Sequence, residues 1–262
     1  MSERYSVAED AEVEIDPVRA AILETENAIR QFDAAMDELD KWLSAPSSRL
    51  KVSTILEMQR LAVEGLDSTP GTFRTAGVEI RGSNHSTPEA KDVPRLIEEM
   101  CDYVNDMWDR STPVHLASYI LWRINWIHPF RDGNGRTARI ISYLVLCAKS
   151  GQRLPGTNTI PDQISKDKTP YYNALEAADN SFEKGSTDVS AMEDLINKLL
   201  ADQLIEIYET VSGIGVKEDA LSVTQSNDAQ ITRTGIIGTI ERHPVIVGAI
   251  AVIGAAIIAV LL

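Results

Sequence analysis

The 262-residue chain carries 25 basic and 39 acidic side chains, a net charge of −14 with His neutral and a pI near 4.7. That balance excludes nucleic-acid polymers as partners of a basic surface, because phosphate contacts need clustered Lys and Arg. With 44% apolar residues the chain can fill a core, and two cysteines, Cys101 and Cys147, are too few for a disulfide framework or a zinc site and read as small buried hydrophobes.

The opening, MSERYSVAEDAEVEID, lacks the apolar run of a secretory signal and reads as an acidic flexible arm, residues 1–16. From Pro17, apolar residues at Ile22, Leu23, Ile29, Phe32, Met36, Leu39 and Trp42 recur at steps near three and four, which predicts a helix up to a break at 44–49. A second helix is predicted from Val52 to Val63. Residues 66–90 change to Gly, Ser, Thr and Pro; there Thr72–Thr75 and Val78–Arg81 are expected to pair as a hairpin across Ala76-Gly77.

Helices resume over Val93–Met107 and over Pro113–Ile127, the latter with Thr112 as N-cap and Pro113 at its first position. This second helix is apolar nearly all round, as a helix at the centre of a domain is. Further helices are predicted at Thr137–Ala148, Lys168–Asp179 and Val189–Thr210, and there is no internal repeat. Residues 211–242 have the composition of a linker. Residues 244–262 are 19 in number without one charge, a helix of roughly 28 Å and close to the thickness of a bilayer core. Arg233, Arg242 and His243 precede this run, so the expectation is a single-pass C-terminal membrane anchor with the rest of the chain cytoplasmic. Ala251, Ala255 and Ala259 fall at a spacing that permits close helix pairing.

Charge is unevenly spread: residues 1–70 sum to −8, residues 71–150 to +1 and residues 151–262 to −7. The neutral middle holds HPFRDGNGRTAR, residues 128–139. A Gly-rich turn before a helix can aim backbone N–H groups at one anion, Gly133 and Gly135 permitting positive φ, and the helix adds its N-terminal partial charge. Arg136 and Arg139, three apart, can face that point. From Arg123 to Arg139 there are four arginines and one acid, net +3, which reads as a polyphosphate site. His128 stands where an imidazole could take a proton from an incoming hydroxyl, and Asp132 where phosphates need magnesium. Taken singly, such a histidine is more often a helix cap than a catalyst, a Gly-x-Gly is usually a turn, and Arg136 or Arg139 suits a solvated helix face; it is their joint occurrence at fixed spacing that points to a site.

The segment HPFRDGNGRTAR resembles the signature of the Fic (Fido) domain family, TPGTFRTAGVEIRG (69–82) resembles the family's flap hairpin, and KTPYYNALEAAD (168–179) its downstream helix. The similarity extends over about residues 25–205. It implies an all-α Fic core, residues 17–210, with a single β-hairpin flap, and transfer of AMP from ATP to a Tyr, Thr or Ser hydroxyl of a target protein. By position it implies His128 as general base, Asp132 holding Mg2+, and Gly133, Asn134 and Gly135 lining an anion hole within a phosphate-binding run that continues through Arg136, Thr137, Ala138 and Arg139. It further implies Val78, Glu79, Ile80 and Arg81 over the nucleotide and along an extended target, with Tyr171, Tyr172 and Asp179 on the adenine and ribose side. Asp179 departs from the Asn frequent there. Relatives that act as kinases carry Lys where this chain has Gly135. The same motif also serves removal of AMP or transfer of UMP, and a non-catalytic membrane adaptor is the rival from another class.

Many members are silenced by a helix of pattern Ser/Thr-x-x-x-Glu-Gly/Asn whose Glu pairs with the second arginine, here Arg139. Glu26-Asn27 has that ending with Ile22 in place of the hydroxyl residue, and Glu64-Gly65 is preceded by Arg60. The expectation is no self-inhibition of this kind in cis, or restraint by a separate partner.

Overall fold

The computed structural model describes residues 5–7, 15–45, 49–83 and 85–212. The expected linker and anchor, 211–242 and 244–262, fall outside these residues apart from Val211 and Ser212. Among the described residues no helix is long and apolar enough to cross a membrane.

Helix α1 (Pro17–Ser44) starts where Pro17 suggested, with Asp16 accepting the N–H groups of Val18 and Arg19. Helix α2 (Val52–Val63) follows, and after the segment 64–89 a short 3-10 turn leads into α3 (Val93–Asp106). Helix α4 (Pro113–Ile127) is capped by Thr112 and buried on almost every side, so its apolar girth is the centre of the fold. Helix α5 (Asn134–Lys149) makes the most extensive helix contact in the fold, against α4. Helices α6 (Ile160–Lys166), α7 (Thr169–Glu183) and α8 (Ser190–Ser212) complete the described fold. The short α6 has no counterpart in the sequence reading, although Thr159, Pro161 and Asp162 are a cap, an early proline and a first-turn acid.

Strand formation differs from expectation. Glu79–Arg81 (β2) is a strand, but Thr72–Thr75 is not, and the predicted hairpin across Ala76-Gly77 does not form. The partner of β2 is instead Tyr5–Val7 (β1), antiparallel in the register Tyr5↔Arg81, Ser6↔Ile80 and Val7↔Glu79. The physical reason lies at Arg74. Its backbone N–H donates to the Pro129 carbonyl, which draws 72–75 down onto the turn after α4 and away from a ladder with β2. Part of the expected flexible arm is therefore a strand.

Both cysteines are buried, as expected, and burial pushes each thiol up to about 12. Native protein at pH 8 is expected to resist alkylation by iodoacetamide at both positions, and urea should expose both, as counted by intact mass.

Candidate active site

The turn between α4 and α5 is built around two residues with positive φ. His128 is the C-cap of α4 at φ 50°, the one positive-φ residue other than glycine among the described residues. Strain of this kind persists where surroundings over-determine it, and it gathers at functional sites. Gly133 is the N-cap of α5 at φ 80°, and a Cβ there would lie 2.8 Å from Val63 Cγ1. Gly135 is ordinary helix, because α5 begins at Asn134, three residues earlier than the sequence suggested. Arg136 thus lies in the first turn of α5 and Arg139 in the second.

Between these residues Phe130 plugs the core, fully buried and 5.7 Å from the Phe73 ring. Asn134 closes the turn: its Oδ1 accepts from Phe130 N–H at 2.9 Å and its Nδ2 donates to Phe130 O at 2.8 Å. Its amide therefore holds the loop. No side-chain hydrogen bond caps α5, so its first N–H groups, with the helix dipole behind them, are available to an anion.

The four arginines counted in the sequence do not converge. Arg123 lies over the rings of Trp126, Phe182 and Trp122 at 4.4, 5.3 and 5.5 Å, in an aromatic pocket away from the turn. Arg131 donates to Asp67, Ser68 and Thr69 at 2.6 Å each. Arg136 pairs with Asp132 and donates to Ala62 O at the end of α2. Arg139 has no ion pair among the described residues; its guanidinium lies where a Cβ on Gly135 would come within 3.2 Å of it, and burial lowers its pKa. The positive charge left for an anion is concentrated in Arg139.

The two partial matches to an inhibitory motif meet in space. Asn27 Nδ2 donates to Glu64 O at 2.9 Å, tying α1 to the end of α2. Glu26 is exposed, and the acid of α1 that approaches the turn is Glu24, 4.0 Å from Arg136.

His128 is buried, and Asn125 O lies 3.4 Å from its Nδ1. A carbonyl only accepts, so the neutral ring carries its proton on Nδ1 and offers the Nε2 lone pair as base. Burial, first, and then the charge of Arg74 hold its pKa down at about 4, against the opposing pulls of Asn125 and Asp132. The sign of the pH effect follows. The unfolded chain takes a proton on this histidine below about pH 6.5 and the folded chain only near 4, so stability falls across that window, by roughly 3 kcal/mol in full. His128→Asn, whose side chain tolerates the left-handed backbone, is expected to gain stability relative to the parent between pH 7 and pH 4.5 in urea unfolding.

Two positioning residues escaped the sequence reading. Arg74, buried at 3% exposure, donates from Nε to His128 O at 2.8 Å and from its Nη atoms to Ala76 O, Pro88 O and Ile127 O. It pins both ends of the flap segment to the turn between α4 and α5. Gln59 accepts from Gly71 N at 2.6 Å and donates to Asp132 O at 3.0 Å. Its signal was a polar side chain on the buried stripe of α2, between Ile55 and Ala62. Arg74→Ala, which orphans several buried carbonyls, is expected to destabilise by about 3 kcal/mol in urea unfolding.

On the opposite wall Tyr171 is buried, its hydroxyl accepting from Asn125 Nδ2 at 2.6 Å, and its ring lies 5.9 Å from that of Tyr172. Asp179 accepts from Trp122 Nε1 at 2.8 Å and stands 4.0 Å from His85 Nδ1. His85 in turn reaches Trp126 O at 2.7 Å, so this acid belongs to a hydrogen-bonded group at the base of the flap.

With this geometry in place, comparison with known proteins is direct. The profile of the Fic/DOC family matches residues 49–146. The "Fido domain-containing protein" of Dictyostelium discoideum is 32% identical over 125 residues, which cover 47% of this chain and 81% of that protein. The chain belongs to the Fic/DOC family. The "Protein adenylyltransferase fic-1" of Caenorhabditis briggsae is also 32% identical, over 126 residues, covering 46% of this chain and 24% of that much longer protein. In fold, the Fic domain containing signaling protein of Bacteroides thetaiotaomicron aligns over 74% of this chain and 76% of its own, at TM-score 0.60 and 21% identity.

Proposed function

We propose that this protein transfers AMP from ATP to a hydroxyl of a target protein. The observation that carries the reading is the pairing of a buried neutral His128 in a left-handed cap with Arg139, a partly desolvated cation beside the uncapped N-terminus of α5. The name of the Caenorhabditis relative, a protein adenylyltransferase, supports the same class.

In this reading the triphosphate lies over the α5 amides, with its β- and γ-phosphates toward Arg139 and the adenosine toward Tyr171 and Tyr172. The target hydroxyl gives its proton to His128 Nε2 as its oxygen attacks the α-phosphorus. The bond from that phosphorus to the bridging oxygen breaks, and pyrophosphate leaves. The electrostatic part falls to preorganised donors aimed at the phosphates. Among the described residues no three metal-ligating side chains cluster. Asp132 is a single, half-exposed carboxylate, which fits a magnesium ion carried in on phosphates and not an all-protein cage. When bound, such an ion would neutralise phosphate charge. The 19 uncharged residues 244–262 support a membrane tether.

Full-length protein incubated with α-labelled ATP, magnesium and cell lysate tests this. Label on protein bands is the expected result. A failure to label any lysate, with ATP binding retained, would favour the nucleotide-binding adaptor instead.

A further inference from the structure

The flap strand has two edges, and they are occupied differently. Val78 O accepts from Thr87 Oγ1 at 3.1 Å, and Ile80 O accepts from Ser83 N–H at 3.2 Å. Backbone groups alternate along a strand, so those of residues 78 and 80 face the chain's own return through 83–87. The groups of Glu79 and Arg81 then face the other edge, and that edge carries β1. By that alternation Tyr5 and Val7, opposite Arg81 and Glu79, take the hydrogen-bonded positions, and Ser6, opposite Ile80, the unbonded one. An edge of this kind is a general template for an extended polypeptide. Arg74 binds Ala76 O, Pro88 O and His128 O together, so the strand is fixed relative to the catalytic turn.

We infer that the chain's own residues 5–7 occupy in cis the Glu79/Arg81 edge of β2, the edge along which the family resemblance would lay an extended target segment, and act there as a competitor. The inference rests on the adenylyl-transfer reading for what the docked segment is presented to. Three paired residues hold weakly on their own. Nine residues, 8–16, separate β1 from α1, and a tether that short sustains an effective concentration on the order of millimolar. The self-segment is therefore a restraint that a longer or better-matched segment displaces, and it lies apart from any carboxylate pairing with Arg139.

The register supplies a matched set of full-length variants. Tyr5→Pro with Val7→Pro removes both N–H groups that enter the ladder, whereas Ser6→Pro removes one that points away. A fluorescent synthetic peptide of residues 1–12 is titrated into the parent and both variants by polarisation, and lysate labelling with α-labelled ATP is run in parallel. The double variant is expected to bind the peptide at least tenfold more tightly than the parent or Ser6→Pro, and to label lysate proteins faster. Equal affinity for all three proteins, or no binding to the double variant, would overturn the inference. So would tighter peptide binding with slower labelling, which would make β1 a structural half of the flap. Tighter peptide binding by the double variant, with no label from any of the three, would leave the docking edge standing and remove the adenylyl-transfer reading.

Discussion

His128→Asn is expected to lower the rate of AMP transfer by about 10^3-fold while ATP affinity stays within about twofold of the parent. General-base catalysis by a positioned side chain is worth about 10^2 to 10^4, and nothing else on the turn can replace it. Asp132 is engaged by Arg136, and Arg74 holds carbonyls. Asparagine suits the left-handed backbone at this cap, so the turn is kept. Single-turnover labelling gives the rate, and calorimetric titration of ATP gives the affinity. A parallel loss of affinity would instead mean that the residue shapes the nucleotide site.

Arg139→Met is expected to stabilise the resting protein and to weaken its hold on ATP. The guanidinium is partly enclosed, its pKa lowered chiefly by burial, and no carboxylate pairs with it among the described residues. Removing an uncompensated cation of this kind stabilises, here by about 1 kcal/mol or more in urea unfolding. The same change removes charge-assisted hydrogen bonds to phosphate, so ATP affinity should fall by about 10- to 100-fold while affinity for adenosine is unchanged. A fall in stability with unchanged ATP affinity would assign Arg139 a structural role. A site that gains stability when its cation is deleted is one built to receive an anion.

Much of this was legible in the residues themselves. The apolar girth of α4 forecast its central position, Thr112-Pro113 its start, and the spacing from His128 to Arg139 the turn. These are local signals, carried by periodicity and capping. The partners of the arginines were not legible. Arg123, Arg131 and Arg136 look alike in the sequence, yet one lies among aromatic rings, one against Asp67 and one across Asp132. Only the fold separates them from Arg139. The flap failed for a related reason. Pairing Tyr5–Val7 with Glu79–Arg81 closes a loop of more than seventy residues, and no turn motif announces it. Gly and Ala at 76–77 announced a nearer partner that Arg74 draws away. Gln59 and Arg74 act by tying backbone to backbone, a role that composition and spacing do not reveal.

The central claim is that the α-phosphate, not the γ-phosphate, is the centre attacked. Parallel incubations of the full-length protein with α-labelled and γ-labelled ATP, magnesium and the same lysate test it most directly. Label on protein from the α-labelled nucleotide alone, with the γ-label recovered in pyrophosphate, is the predicted result. Protein labelled from the γ-position would contradict it and make the site a phosphoryl-transfer centre.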